Sequence, residues 1–88
     1  MHAAIPALIA ACLASAAWAA PECTNEPRNR WMSEDSMRAR LKADGYVVKK
    51  FKVVRHCYEI YGTDKSGRKV EIYLNPVTGQ AVKIRVDG

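Results

Sequence analysis

The rhythm of apolar and polar positions changes twice along the chain. Residues 3 to 20, AAIPALIAACLASAAWAA, contain no charged side chain, and every Lys, Arg, Asp and Glu lies after them. In WMSEDSMRARLKADG, residues 31 to 45, Met37 and Leu41 stand four apart on one narrow helical stripe. Beyond Tyr46 the period becomes two. Val47, Phe51 and Val53 run in phase, with Lys50 and Lys52 opposite. Tyr58 and Ile60 oppose Glu59 and Tyr61, and Val70, Ile72 and Leu74 oppose Glu71 and Tyr73. Val82, Ile84 and Val86 are expected inside, with Lys83 and Arg85 outside. Four short strands with one apolar face each predict an antiparallel sheet, packed on one side and wet on the other.

Local signals bound these elements. Ser33 is a good N-cap, and Glu34 and Asp35 fall in the first turn, where the helix dipole favours negative charge. Met32 and Met37 take the hydrophobic-staple positions, and Gly45 stands where a left-handed residue ends a helix. Asp64-Lys65-Ser66-Gly67 and Pro76-Val77-Thr78-Gly79 read as turns. The predicted fold class is α+β: one N-terminal helix packed on a four-stranded antiparallel meander, in the order α-β-β-β-β. Trp31 is expected at the core edge.

Eighty-eight residues allow one domain. The charge-free start, ending in Ala17-Trp18-Ala19, reads as a secretory signal over residues 1–19. With Pro6 and many alanines it is weak as a membrane span. Only the amino terminus and His2 carry positive charge ahead of it, which leaves room for a start codon elsewhere. Ile9-Ala10-Ala11-Cys12 offers a second route, a lipobox with Cys12 lipidated, although it would leave a short signal. The expected organisation is a signal over 1–19, an irregular arm over 20–30 and a folded domain over 31–88, in a periplasmic or secreted protein.

The processed chain of about 69 residues falls in the size range where a covalent staple is expected. It keeps two cysteines, Cys23 and Cys57, and an even pair in a small exported domain predicts a disulfide. The rival readings use His56, either as a zinc ligand or as a base for a Cys57 nucleophile. Adjacent strand residues point to opposite faces, which defeats both. His56 is expected at the surface, at a strand start. With no C-x-x-C, one histidine after the signal and no visibly poised carboxylate pair, an enzyme is not expected, nor a cofactor or metal.

WMSEDSMRARLKADGYVVKKFKV and CYEIYGTDKSGRKVEIYLNPVTGQAVKI together resemble the PepSY domain, a small module of metallopeptidase propeptides and of short exported bacterial proteins. The resemblance covers residues 31 to 86. It is carried by Gly45-Tyr46 at the helix end, the YEIYGTD strand, and VEIYLNPVTG with its closing Thr78-Gly79. It implies a non-catalytic module that binds or restrains peptidases. No protease follows in this sequence, so action in trans, not as a propeptide in cis, is the expectation.

On the wet face, Glu59, Tyr61, Glu71 and Tyr73 lie on the central hairpin, with Lys50, Lys52, Lys83 and Arg85 flanking them. Cross-strand pairing is their plain role, worth about 0.2 to 1 kcal/mol per pair. Their sharper role is docking, since exposed tyrosines ringed by charge are common contact residues. The candidate partner-binding set is Tyr61, Tyr73, Glu59, Glu71, Lys50 and Lys52. An edge strand offers a further route, by strand addition. Fourteen Lys and Arg against nine Asp and Glu give +5, a bias that draws a small domain to anionic surfaces. The expected function is thus a non-catalytic exported protein-binding module, a modulator or inhibitor of an envelope peptidase. The alternative is a basic envelope-surface binder of anionic lipid or cell-wall polymer. Nucleic acid is excluded by compartment.

Overall fold

The structure, a computed structural model, describes residues 20–87. The expected signal segment, its cleavage point at Ala19 and the alternative at Cys12 lie outside the described residues. A short 3-10 turn at Arg28–Arg30 leads into helix α1 (Glu34–Ala43). Strands β1 (Val47–Val54), β2 (Cys57–Thr63), β3 (Lys69–Leu74) and β4 (Ala81–Asp87) follow. They form one antiparallel sheet in the order β1-β2-β3-β4, the α+β meander expected.

The helix begins and ends where its signals stand. The Ser33 hydroxyl accepts the Ser36 N–H at 3.1 Å, freeing that donor from burial without a partner. At the other end the Gly45 N–H donates to the Lys42 carbonyl and the Tyr46 N–H to the Leu41 carbonyl, a Schellman closure. This closure needs the left-handed φ of 92° that Gly45 adopts. Met37 and Leu41 are buried against Tyr58, Ile60, Val70, Ile72 and Leu74, with Trp31, Met32, Tyr46, Val48 and Phe51 at the margin. The Tyr58 hydroxyl donates to the Met32 carbonyl at 2.6 Å, and its ring meets Trp31 edge-on at 5.4 Å.

Two strand assignments shift. A bulge between Val48 and Lys50 puts Val48 opposite Gly62 and Val47 opposite Thr63. Val48 therefore faces the helix, while Val47, expected in phase with Phe51, is 55% exposed. Gly62 permits the close approach, because a Cβ there would lie 1.9 Å from the Val47 carbonyl oxygen. The second correction concerns β4. Ile84 and Val86 pair with Ile72 and Val70 and so share the helix face, as expected. They are not inside, however: Val82, Ile84 and Val86 are 45 to 48% exposed. One helix about 10–12 Å across covers only two or three strands spaced about 4.8 Å apart. Here α1 packs on β2 and β3 and approaches β1, leaving β4 beyond its reach.

The arm before the helix crosses to the opposite face of the sheet. Cys23 and Cys57 are joined, with Cα atoms 5.0 Å apart. Beside them Glu22 pairs with Arg55 and with Nδ1 of His56, each at 3.2 Å, pinning the arm to the two-residue β1–β2 turn. His56 is exposed in that turn, immediately before β2. Cys23, Cys57 and Tyr73 form a second buried cluster, with Ala20 packed against it.

Residues 23 and 57 are 34 apart, and closing a loop of that size removes about 3 to 4 kcal/mol of unfolded-state entropy. Reduction is expected to lower the melting temperature by well over ten degrees, on a scale of about 4–8 °C per kcal/mol for a domain this size. Thermal melts with and without reductant check this. Free thiols in the protein as purified under oxidising conditions would contradict it.

Candidate functional site

The face away from the helix follows from the strand register. Lys50 stands opposite Tyr61 and Lys52 opposite Glu59, while Glu59 is opposite Tyr73 and Tyr61 opposite Glu71. Glu71 in turn faces Arg85, and Tyr73 faces Lys83. All six candidate residues, Lys50, Lys52, Glu59, Tyr61, Glu71 and Tyr73, thus share one face, as the period-two pattern predicts.

That face is not uniformly wet. Glu59 is 3% and Tyr73 5% exposed, whereas Tyr61 and Glu71 are half-buried and Lys50 and Lys52 are exposed. The expectation that Tyr73 and Glu59 stand open to solvent is therefore corrected. At Tyr73 the cause is the arm: Cys23, tied to Cys57, packs against it. Sequence periodicity reports which face a residue takes, but not what a separate segment lays on that face.

Glu59 and Glu71 lie diagonally across β2 and β3 on this face. Hydrogen bonding with Glu59, then burial, pushes the Glu71 carboxyl above its ordinary value. Burial opposes ionisation of Glu59. Hydrogen bonds from Glu71, Tyr61 and Tyr73, together with the charge of Lys52 at 3.8 Å, outweigh it and hold Glu59 below the ordinary value. The Tyr73 hydroxyl also donates to Glu71 Oε2 at 3.2 Å, and Arg85 Nη1 lies 3.4 Å from Glu71 Oε1. The carboxylate neighbours push the phenol of Tyr61, chiefly through its bond to Glu59, up to about 12; burial first, then the same carboxylates, raise Tyr73. No poised carboxylate pair is apparent from the sequence. The signal would have been register: Glu59 and Glu71 stand diagonally across adjacent strands, within reach of long side chains.

Toward the other end of the sheet the same face is open. A shallow groove of about 490 Å³ is lined by Lys49, Tyr61, Thr63, Lys69, Glu71 and Arg85, among others. The ammonium groups of Lys50 and Lys52 lie 5.6 and 5.4 Å from the centre of the Tyr61 ring, at cation–π distance. Among the described residues there is no group of three His, Cys, Asp or Glu side chains that could hold a metal. No described helix is long and apolar enough to cross a membrane.

A capped helix on a four-stranded meander, with a two-part outer face, defines a small α+β module. The family model described as "Peptidase propeptide and YPEB domain", PepSY_2, matches residues 3–85, and the chain belongs to that family. The family is related to peptidase propeptide and inhibitor modules, consistent with a non-catalytic module. No match emerged from the curated proteins or from the solved structures.

The two tyrosines are expected to separate on substitution. Tyr73→Ser empties a sealed site and should cost about 3 kcal/mol, in the range of large buried aromatics. Tyr61→Ser should cost about 1 kcal/mol or less, as a lost cross-strand contact. Urea titrations of both variants check the difference, and equal losses would contradict it.

The carboxyl pair yields a pH signature. Glu71, raised in the fold, contributes stability that is complete below the ordinary carboxylate pKa and is lost as pH rises through its folded value. Glu59, lowered, contributes in the opposite sense: its stability is present above the ordinary pKa and lost as pH falls through its folded value. Glu71→Gln removes the titration and gives up the partly exposed Arg85 pair and one of the two acceptor oxygens that serve Arg85 and Tyr73. Relative to the parent, the variant's melting temperature is expected to rise between about pH 4 and about pH 7. Parallel pH profiles of melting temperature would contradict the raised Glu71 carboxyl.

Proposed function

We propose that this chain is an exported, non-catalytic protein-binding module that docks through the open part of its outer face and modulates or inhibits an envelope peptidase. The observation that carries the reading is the Tyr61 ring, half-buried between Lys50 and Lys52 and beside Glu71 at the rim of the groove. An aromatic ring on a rigid strand, flanked by charge of both signs, has the composition of an interface hot spot. Lys50, Lys52, Tyr61 and Glu71 are the contact residues in this reading. Glu59 and Tyr73, buried beside them, support them.

Membership of a family related to peptidase propeptides favours a peptidase as the partner. Export rests on the charge-free N-terminal segment and on the disulfide, a bond that persists in oxidising compartments. The net charge of +5 favours one further reading, a basic binder of anionic lipid or cell-wall polymer at the envelope surface.

Capture from periplasmic extract at low and at moderate salt, with the parent and with Tyr61→Ser, separates the two readings. Under the docking reading a peptidase is retained at both salt concentrations. Tyr61→Ser then weakens its capture about thirtyfold, the equivalent of a hot-spot loss of about 2 kcal/mol. Retention that vanishes at moderate salt and ignores Tyr61 would overturn it in favour of the anionic surface.

A further inference from the structure

The outer edge of β4 and its helix-side residues are used neither by the core nor by the Tyr61 groove. The strand closes one side of the sheet and pairs only with β3. Its helix-side residues Ile84 and Val86 are 48% and 45% exposed, since α1 stops short of them. Long edge strands with exposed apolar side chains are ready templates for another strand. The question is which strand fits.

Hydrogen-bond parity identifies the groups on offer. The two-residue turn at Arg55-His56 closes on Val54 and Cys57, so Cys57 bonds back to β1 and Tyr58 bonds onward to β3. Alternation then directs Glu71 and Tyr73 toward β4. The Asn75 N–H, in the same phase, donates to the Gln80 carbonyl at 2.8 Å, as this parity requires. Their partners Lys83, Arg85 and Asp87 bond to β3, which leaves the N–H and C=O groups of Ile84 and Val86 pointing off the sheet.

The side chains select the partner. Read antiparallel to itself about Arg85, the segment Lys83-Ile84-Arg85-Val86-Asp87 places Lys83 opposite Asp87 of a second copy, and Asp87 opposite that copy's Lys83. Ile84 falls opposite the other Val86 twice, so the outward backbone groups meet in two hydrogen-bonded pairs and each exposed apolar residue gains an apolar neighbour. Only Arg85 meets its like, and each Arg85 is held by its own Glu71 at 3.4 Å. Sliding the pairing by two toward Lys83 sets each Lys83 opposite Arg85 of the other copy, like charges in both pairs. Sliding it by two the other way moves Ile84 past the end of the described strand.

We propose that this chain self-associates through β4, two copies forming a continuous eight-stranded antiparallel sheet about a two-fold axis at Arg85. The contact is isologous, as a closed dimer requires. Because Arg85 and Asp87 also line the outer groove, the two grooves meet at the axis, and each receives Lys83 from the other copy beside its Asp87. The pairing does not depend on Tyr61 being a docking residue. Contact of one strand edge is small, in the transient class below about 1,200 Å², so the dimer is expected in the micromolar range and not as an obligate assembly.

Sedimentation equilibrium of the oxidised chain, from micromolar to millimolar concentration, tests this with charge variants. Lys83→Asp and Asp87→Lys each place like charges in both outer pairs and should weaken dimerisation about tenfold or more. Mixed one to one, the two variants restore both pairs in a heterodimer, and association should return to the parent value. Ile84→Lys, at a position already half exposed, should stay folded by circular dichroism and remain monomeric. Amide exchange of the parent should slow with concentration at Ile84 and Val86 but not at Arg85, which is bonded within its own sheet. A parent that stays monomeric throughout overturns the proposal and leaves the edge to a foreign strand. Single variants that associate as well as the parent, or a mixture that fails to recover, overturn it as well. None of these results bears on capture through Tyr61, so the two readings fail separately.

Discussion

The covalent bond between Cys23 and Cys57 is the constraint on which the rest of this small protein turns. The helix-side core is modest: two helical side chains, Met37 and Leu41, meet five from β2 and β3. The bond adds a second packed layer by drawing the arm over the start of β2 and the end of β3, where Tyr73 is sealed beneath it. A sheet that would otherwise have one dry face thus has one and a half. Glu22, bridging Arg55 and His56, fixes the arm's direction at the same corner, but these are exposed pairs of small individual worth.

Closing that half of the outer face changes the chemistry of the charged residues on it. In water, Glu59 and Glu71 would each ionise independently. In the fold, beside the phenols of Tyr61 and Tyr73, they are coupled, one carboxyl pushed up and the other held down. Every buried side-chain nitrogen or oxygen among the described residues has a partner, so the polar cluster is satisfied, not strained. It also anchors Tyr61, whose hydroxyl bonds to Glu59 while its ring extends to Lys50 and Lys52. A ring held this way would lose little conformational freedom on meeting a partner, which is the advantage of a preorganised aromatic.

Much of this was legible in the residues. Ser33, Gly45 and the Met37–Leu41 spacing specify the helix locally, because caps and stripes act within one or two turns. The strand faces at Ile60, Ile72 and Leu74 follow from alternation, and the cysteine pair from its parity and context. The failures share a cause. Val47 lost its phase to a bulge that depends on Gly62 coming close to β1, a contact between strands. Val82, Ile84 and Val86 have the right pattern for burial, yet one helix is too narrow to reach them. Tyr73 alternates as a solvent-facing residue and is covered by a segment outside the alternating region. Local pattern encodes the face of a strand; coverage of that face depends on the width and placement of other elements.

The central claim is that the disulfide divides the outer face into a sealed half and an open half. Hydroxyl-radical footprinting of the oxidised and reduced protein tests it most directly, at a temperature where circular dichroism still reports the sheet in both. The account predicts that Tyr61 is modified in both states, while Tyr73 is protected with the bond intact and becomes reactive once it is reduced. Modification of Tyr73 at the rate of Tyr61 in the oxidised protein, or protection that persists after reduction, would contradict it.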